Sequence, residues 1–281
     1  MIEFRDLTAD VMGKRPYNAT ANDRYLAYRL GPHYHSRIAV VSIYLGRVLK
    51  TTTRLLPKLF SWAVSYEDPR LWESSDGPRL IVTMYGKTNN TDFTQLACCT
   101  LEGKEAQLLA WPSQQRVEKN WLIFSRGRET WLSYSMQAGV HRVGHISEGS
   151  VKYAMSSPYA FPWSHGDVRG GTPPVLHDNL WWTFFHSTRW APKEHYFYKD
   201  YVLGAIAFED KPPFNVVGMT PQPLWQPSRP EIVVNKWVMS VVFPGSARLY
   251  RNRWEIMCGI NDCKVGYLSM DHQHVVRSMV W

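Results

Sequence analysis

Hydrophobic and polar positions along this chain fall into short runs with the spacing of strands, and the runs come in pairs. Arg24–Arg29 (RYLAYR) precedes Arg37–Ile43 (RIAVVSI), and Arg79–Tyr85 (RLIVTMY) precedes Thr94–Leu101 (TQLACCTL). Thr130–Ser135 precedes Val140–Ser147, Leu180–His186 precedes Tyr201–Phe208, and Trp254–Asp262 precedes Lys264–Met270. Each pair is rich in β-branched and aromatic residues and bounded by polar or Gly-containing turns, which predicts a hairpin. Helical spacing is rare; Leu45, Val48, Leu49, Leu55 and Leu56 predict one short helix within Gly46–Leu59. The pairs start roughly 50 residues apart, apart from a longer insert in the fourth, and such a period in an all-strand chain predicts a propeller. Five pairs predict an all-β chain folded as a single five-bladed β-propeller domain over residues 1–281, around a central channel with few open edges. A β-sandwich is the alternative, and it leaves the repeated spacing unexplained.

Just before the first strand of each pair lies a polar or Gly/Pro-rich segment. In order these are Tyr17-Asn18-Ala19-Thr20, Tyr66-Glu67-Asp68-Pro69-Arg70, Glu118-Lys119-Asn120-Trp121, Arg169-Gly170-Gly171-Thr172-Pro173-Pro174 and Phe243-Pro244-Gly245-Ser246. In a propeller such equivalent positions converge on one end of the channel. Arg29, His186 and Asp262 end strands of three pairs and deepen the same expected site. In the second segment, Pro69 pushes Asp68 towards extended backbone. The side chains of Glu67 and Asp68 then point oppositely, one to a cavity and one to a structural partner. Arg70, two residues on, suits either loop anchoring or an anion contact.

Composition narrows the ligand. The chain has 281 residues, with 13 Trp and 15 Tyr, an aromatic load that suits strands and also flat stacking platforms for sugar rings. The net charge of +8 fits an anionic ligand, but the basic residues are scattered and carry no nucleic-acid signature. The four cysteines, Cys98, Cys99, Cys258 and Cys263, show no zinc spacing and read as reduced thiols of a cytoplasmic protein. His272 and His274 lack a third ligand nearby in sequence and read as surface histidines, so no metal is expected. No apolar run is long enough to span a membrane.

Taken together, EDPR before the second hairpin, an Asn-containing opening followed by a strand ending in YR, GGTP before the fourth hairpin and an Asp soon after the fifth strand resemble glycoside hydrolase family 130. They are also similar to the related glycosyltransferase family 108. The resemblance runs from Tyr17 to about Met270, and it implies a five-bladed propeller enzyme, mostly a phosphorylase or hydrolase of β-mannosides. By that resemblance Asp68 is the general acid, while Asn18 and Arg29 hold the sugar. Lys119 and Asn120 lie in the segment that binds phosphate or the leaving sugar, and Gly171, Thr172, His186 and Asp262 lie around the sugar, with Arg70 beside them. The chain departs from the family pattern in two places. The first opening reads YNAT where the family has FNPS, which bears on sugar positioning. The third-blade strand ends in Tyr134-Ser135-Met136 where phosphorylases tend to have a basic residue, which bears on phosphate use.

The expected function is thus an inverting carbohydrate-active enzyme on β-linked hexosides, with an oligosaccharide or sugar-phosphate substrate. No cofactor is expected, and inorganic phosphate is a possible co-substrate. A proton donor needs a raised pKa, which burial and Glu67 favour and Arg70 opposes. A hydrolase further needs a second carboxylate roughly 6.5–9.5 Å away, for which Glu118, Asp167 and Glu148 are candidates. A phosphorylase needs a basic pocket, for which Arg29, Arg70, Lys119, Arg126, Arg128 and Arg169 are candidates. A glycosyltransferase and a non-catalytic glycan-binding propeller are the alternative readings.

Overall fold

Every predicted hairpin is the middle of a larger antiparallel sheet. The computed structural model describes residues 2–6, 16–21, 25–30, 37–44, 47–48, 54–88, 91–113, 116–193, 196–228 and 238–281. One sheet runs outward from Ser65–Ser74 through Gly77–Thr88 and Thr91–Thr100 to Gln107–Leu108. The next runs from Leu122–Arg126 through Glu129–Ser135 and Val140–Ser147 to Ser150–Pro158. In a third, Asp167–Arg169 and Val175–His177 together line one side of Leu180–Lys193, which pairs with Tyr196–Glu209 and so leads to Val216–Met219. The last uses both ends of the chain: Val242–Tyr250, Arg253–Ile260 and Lys264–Asp271 are completed by Ile2–Asp6. These four sheets stand as blades of a propeller-like arrangement. At its middle the strand Ser65–Ser74 lies against both Leu122–Arg126 and Val242–Tyr250. A further sheet contains Pro16–Ala21, Tyr25–Leu30, Arg37–Tyr44, Arg47–Val48 and Arg54–Leu55.

Strand side chains alternate between faces, and here each face meets a neighbouring sheet. Trp182, Phe184, Leu203 and Ala205 pack on Trp254, Ile256 and Leu268. The opposite face of the same strands sends Trp181, Phe185, Ile206 and Phe208 against Leu122, Phe124 and Trp131. Burial on both faces explains runs such as LWWTFF, which show no clean polar alternation. Full burial of each such side chain stabilises the fold by about 1.5–3 kcal/mol.

Three of the segments that carry the candidate chemistry, 17–20, 66–70 and 243–246, are themselves parts of strands, whereas 118–121 is irregular before Leu122–Arg126 and 170–174 lies between Asp167–Arg169 and Val175–His177. Prolines, glycines and charges hide the strand character of the three, as in SYEDPRLWES. The helix expected within Gly46–Leu59 is corrected: its described parts are the short strands Arg47–Val48 and Arg54–Leu55, with 56–59 irregular. The run Thr51-Thr52-Thr53 disfavours helix by β-branching, and Pro57 removes a donor. The one α-helix among the described residues is His272–Arg277, capped by Asp271, whose side chain accepts the His274 N–H. No described helix is long and apolar enough to cross a membrane.

Candidate active site

Asp68 sits in a β-bulge: the pairing with Gly77–Thr88 slips between Glu67 and Arg70. Its backbone is left-handed, φ 52, so the expected extended conformation is corrected. A bulge bends the strand and re-aims a side chain, and Asp tolerates this conformation better than most residues. The residue is 5% exposed, and Glu67 beside it is 2% exposed. Two adjacent buried carboxylates need compensation.

Lys119 supplies it from the neighbouring sheet's segment. Its ammonium pairs with the Glu67 carboxylate and donates to the Tyr85 hydroxyl. Burial works against the Lys119 charge, but the carboxylates of Glu67 and Asp68 outweigh it and hold its pKa above the usual value. Burial and the Glu67 charge likewise hold the Tyr85 phenol protonated.

Arg70 is fully buried and ties the segments together. Its Nε donates to the Gly171 carbonyl at 2.7 Å, and its terminal nitrogens donate to Asn120 Oδ1 at 3.0 Å, the Gly170 carbonyl at 3.3 Å and the Asp68 carbonyl at 3.2 Å. Its guanidinium carbon lies 5.0 Å from the centre of the Phe243 ring. Burial lowers its pKa to about 10, against the raising effect of Asp68 and Glu67. One side chain thus joins segments of four sheets, and of the two roles open to it, loop anchoring describes these contacts. Asn120 (φ 64) spends its side-chain oxygen on the same guanidinium.

Gly170 and Gly171 let these segments approach one another. A Cβ on Gly171 would stand 2.2 Å from the Phe184 carbonyl oxygen, and one on Gly170 would stand 2.1 Å from that of Asn120. The Thr172 hydroxyl accepts from the Phe184 N–H at 3.0 Å, fixing the segment to the strand behind it.

His186 is buried under Arg70, stacked on Tyr201 at 5.6 Å and tilted against Phe243 at 4.8 Å. Burial first, then the charges of Arg70 and Arg169, push its pKa well below the usual value, so the ring is neutral. Its Nδ1 has no hydrogen-bond partner. Tyr201 reports where the remaining groups lie. Burial raises its pKa most, and Asp262, Arg169, Asp68 and Lys119 all act on it electrostatically. Asp68, Lys119 and Asp262, far apart in sequence, therefore lie within electrostatic reach of Tyr201, on which His186 stacks. Asp262 (φ 52) and Asn261 (φ 52) form the turn after Arg253–Ile260, with Asn261 Oδ1 accepting the Val241 N–H at 2.8 Å. Asn18 and Arg29 lie on Pro16–Ala21 and Tyr25–Leu30; their side chains fall outside the described residues.

Tyr85 and Tyr201 touch these groups and were missed by sequence reasoning, whereas Phe243 was noted within its segment. Tyr85 and Tyr201 lie in predicted strands next to the channel end, and position within the repeat was the signal available for finding them. Glu118, one candidate for a second carboxylate, is buried, and its oxygens accept from Trp121 Nε1 at 3.1 Å and from the Tyr134 hydroxyl at 2.8 Å. Glu148 lies in a turn between two outer strands, while Asp167 stands at the site end of its strand, 3.8 Å from Arg169. Of the expected basic pocket, Arg126 lines a different cavity of about 680 Å³, together with Trp72, Phe124, Trp181 and Tyr250. Those positions follow the site segments along the inner strands, so this cavity occupies the other end of the channel.

His272 is not a surface residue, as the sequence suggested. It is 4% exposed and packs edge-on against His177, near Asp178. Its Nδ1 accepts the Trp254 indole N–H at 3.0 Å, which places the neutral ring's proton on Nε2.

No protein-family model matches the chain, and no curated protein matches it. Solved structures do. One is described as showing that the GH130 family of mannoside phosphorylases contains glycoside hydrolases that target β-1,2 mannosidic linkages in Candida mannan. It has a TM-score of 0.68 and 15% identity over 92% of this chain and 85% of that one. A β-1,2-mannobiose phosphorylase from Listeria innocua, bound to β-1,2-mannobiose, has a TM-score of 0.62 and 18% identity over 86% of this chain and 69% of that one. An α-L-arabinofuranosidase from Lactobacillus brevis has a TM-score of 0.57 and 11% identity over 94% of this chain and 90% of that one. The chain therefore has the all-β, propeller-like fold of these carbohydrate-active enzymes, and its structural likeness includes GH130 members.

Proposed function

We propose that the chain is an inverting carbohydrate-active enzyme on β-linked hexosides, mannosides by preference, with Asp68 as general acid. The observation that carries this is the convergence of the buried Asp68, Glu67 and His186 with the partly buried Lys119, Tyr201 and Asp262 at one end of the channel. The likeness to a β-1,2-mannobiose phosphorylase and to the GH130 structure supports the sugar class. The strand Pro16–Ala21 touches both Ser65–Ser74 and Val242–Tyr250, which supports closure of its sheet as a fifth blade and a place for Asn18 and Arg29 at the same channel.

In this reading Asp68 gives its proton to the glycosidic oxygen, directly or through a sugar hydroxyl, as the bond to the anomeric carbon breaks. Water or inorganic phosphate forms the new bond on the opposite face. Tyr201 and neutral His186 offer hydrogen bonds to sugar hydroxyls. Among the cations, Arg70 is spent on carbonyls and Lys119 on Glu67 and Tyr85. Among the described cations of the site, Arg169, which lies 3.8 Å from Asp167 and whose buried Nε has no hydrogen-bond partner, is the candidate donor for an anion. No cofactor enters the reaction.

The test is incubation with β-linked manno-oligosaccharides with and without phosphate, following mannose and mannose 1-phosphate. Release of either product supports the reading, and phosphate dependence separates phosphorolysis from hydrolysis. Turnover of no β-linked hexoside contradicts it.

A further inference from the structure

The two strands Leu180–Lys193 and Tyr196–Glu209 are longer than the sheet they belong to. The innermost strand ends its pairing at Asp167↔Thr188, yet the hairpin continues to Lys193↔Tyr196. Asp167 and Arg169 lie at the site end, so this extension projects outward beside the candidate site. Side chains alternate along it. His186, Thr188 and Trp190 therefore share a face with their cross-strand partners Leu203, Tyr201 and Lys199. At its inner end that face holds the His186–Tyr201 stack of the site. Trp190 stands on the same face, roughly 14 Å further along the strand by the usual rise.

Trp190 is 59% exposed, unusual for the largest apolar side chain. It is nonetheless oriented: the Lys199 ammonium lies 5.0 Å from the ring centre, on its directly paired partner. The root of the arm is braced as well. Val238–Ser240 pairs with it in parallel, and Ser240 donates to the buried Asp200 carboxylate at 3.0 Å. An indole held by its neighbour, on a braced arm continuous with a sugar site, is a stacking platform for the apolar face of a sugar.

We propose that Trp190 forms an outer subsite that stacks a distal sugar of the bound glycan, so that the preferred substrate is longer than a disaccharide. This rests on the proposed glycoside chemistry of the Asp68 site. The test compares kcat/KM on β-linked manno-di-, tri- and tetrasaccharides for the wild type, Trp190→Ala and Trp190→Phe. Tyr153→Ala, an exposed tyrosine on an outer strand, serves as control. Trp190→Ala lowers the preference for longer chains roughly 2–10-fold, the scale of one aromatic contact. Trp190→Phe restores most of it, and Tyr153→Ala leaves it as in the wild type. An unchanged chain-length profile in a folded Trp190→Ala, with the disaccharide still turned over, overturns the subsite alone. If no β-mannoside is turned over, the proposed activity fails and a glycan array decides the subsite. Binding lost in Trp190→Ala but kept in Tyr153→Ala supports it. Equal binding, or no glycan bound by the wild type, overturns it.

Discussion

The two ends of the channel differ in where their charges sit. At the Asp68 end the charges are inside: Arg70, Glu67 and Asp68 are buried, and Arg70 and Glu67 are held by partners from neighbouring segments. At the other end the cavity is roomy, about 680 Å³, but its charges are outside. Arg126 pairs with Asp210 at 2.7 Å and Arg248 with Glu255, and both arginines are about four-tenths exposed. Room alone therefore does not identify a site. Holding charges out of water is expensive, and perturbed buried charges cluster at functional sites as well as in structural ion-pair networks.

The sharpest way to break this contrast is to unpair the buried end. Lys119→Met leaves the Glu67 carboxylate buried without its cation and is expected to cost about 3 kcal/mol, the lower end for broken buried pairs because Lys119 is partly exposed. Chemical denaturation measures it. The Lys119 pKa is raised in the folded chain, so the pair's contribution is full below the unfolded lysine value of about 10.4 and fades as pH rises through the folded value. Wild-type stability should fall in strong alkali more steeply than that of Lys119→Met.

Packing at the same end gives the next effect. Gly171→Ala drives a methyl against the Phe184 carbonyl and Pro244, and overpacking of this kind costs about 1–3 kcal/mol. Loss of Tm and of activity together is the expected result.

His186 sharpens the contrast through pH. Its folded pKa is depressed, so below about 6.5 the unfolded chain takes a proton that the folded chain refuses. Stability therefore drops as pH falls from about 6.5 towards the folded value, and His186→Phe should flatten that slope in denaturation curves.

The smallest effect belongs to the other end. Arg126→Ala should change stability by no more than about 1 kcal/mol, as exposed pairs do, and leave glycoside turnover unaltered.

Much of the fold was legible because strand pairing writes itself as paired apolar runs. All five predicted hairpins are present as paired strands. Their inner neighbours were not legible, because a strand facing a polar channel carries prolines, glycines and charges. The same holds at the site. Repeat position brought Asp68, Lys119 and Asp262 within electrostatic reach of Tyr201, on which His186 stacks. The backbone of Asp68 was misread because Pro69 argues for extension, whereas the bulge depends on pairing with a distant strand. The outward arm, too, was invisible in its length: Thr188–Lys193 has no apolar alternation to mark it as strand.

The most direct measurement is turnover by Asp68→Asn on two substrates, a natural β-linked oligosaccharide and a glycoside with an activated aryl or fluoride leaving group. If Asp68 is the acid, turnover of the oligosaccharide falls by roughly 10²–10⁴ while the activated substrate recovers much of the loss, because its leaving group needs no proton. Full oligosaccharide turnover by a folded Asp68→Asn, or an equal loss on both substrates, would contradict the account.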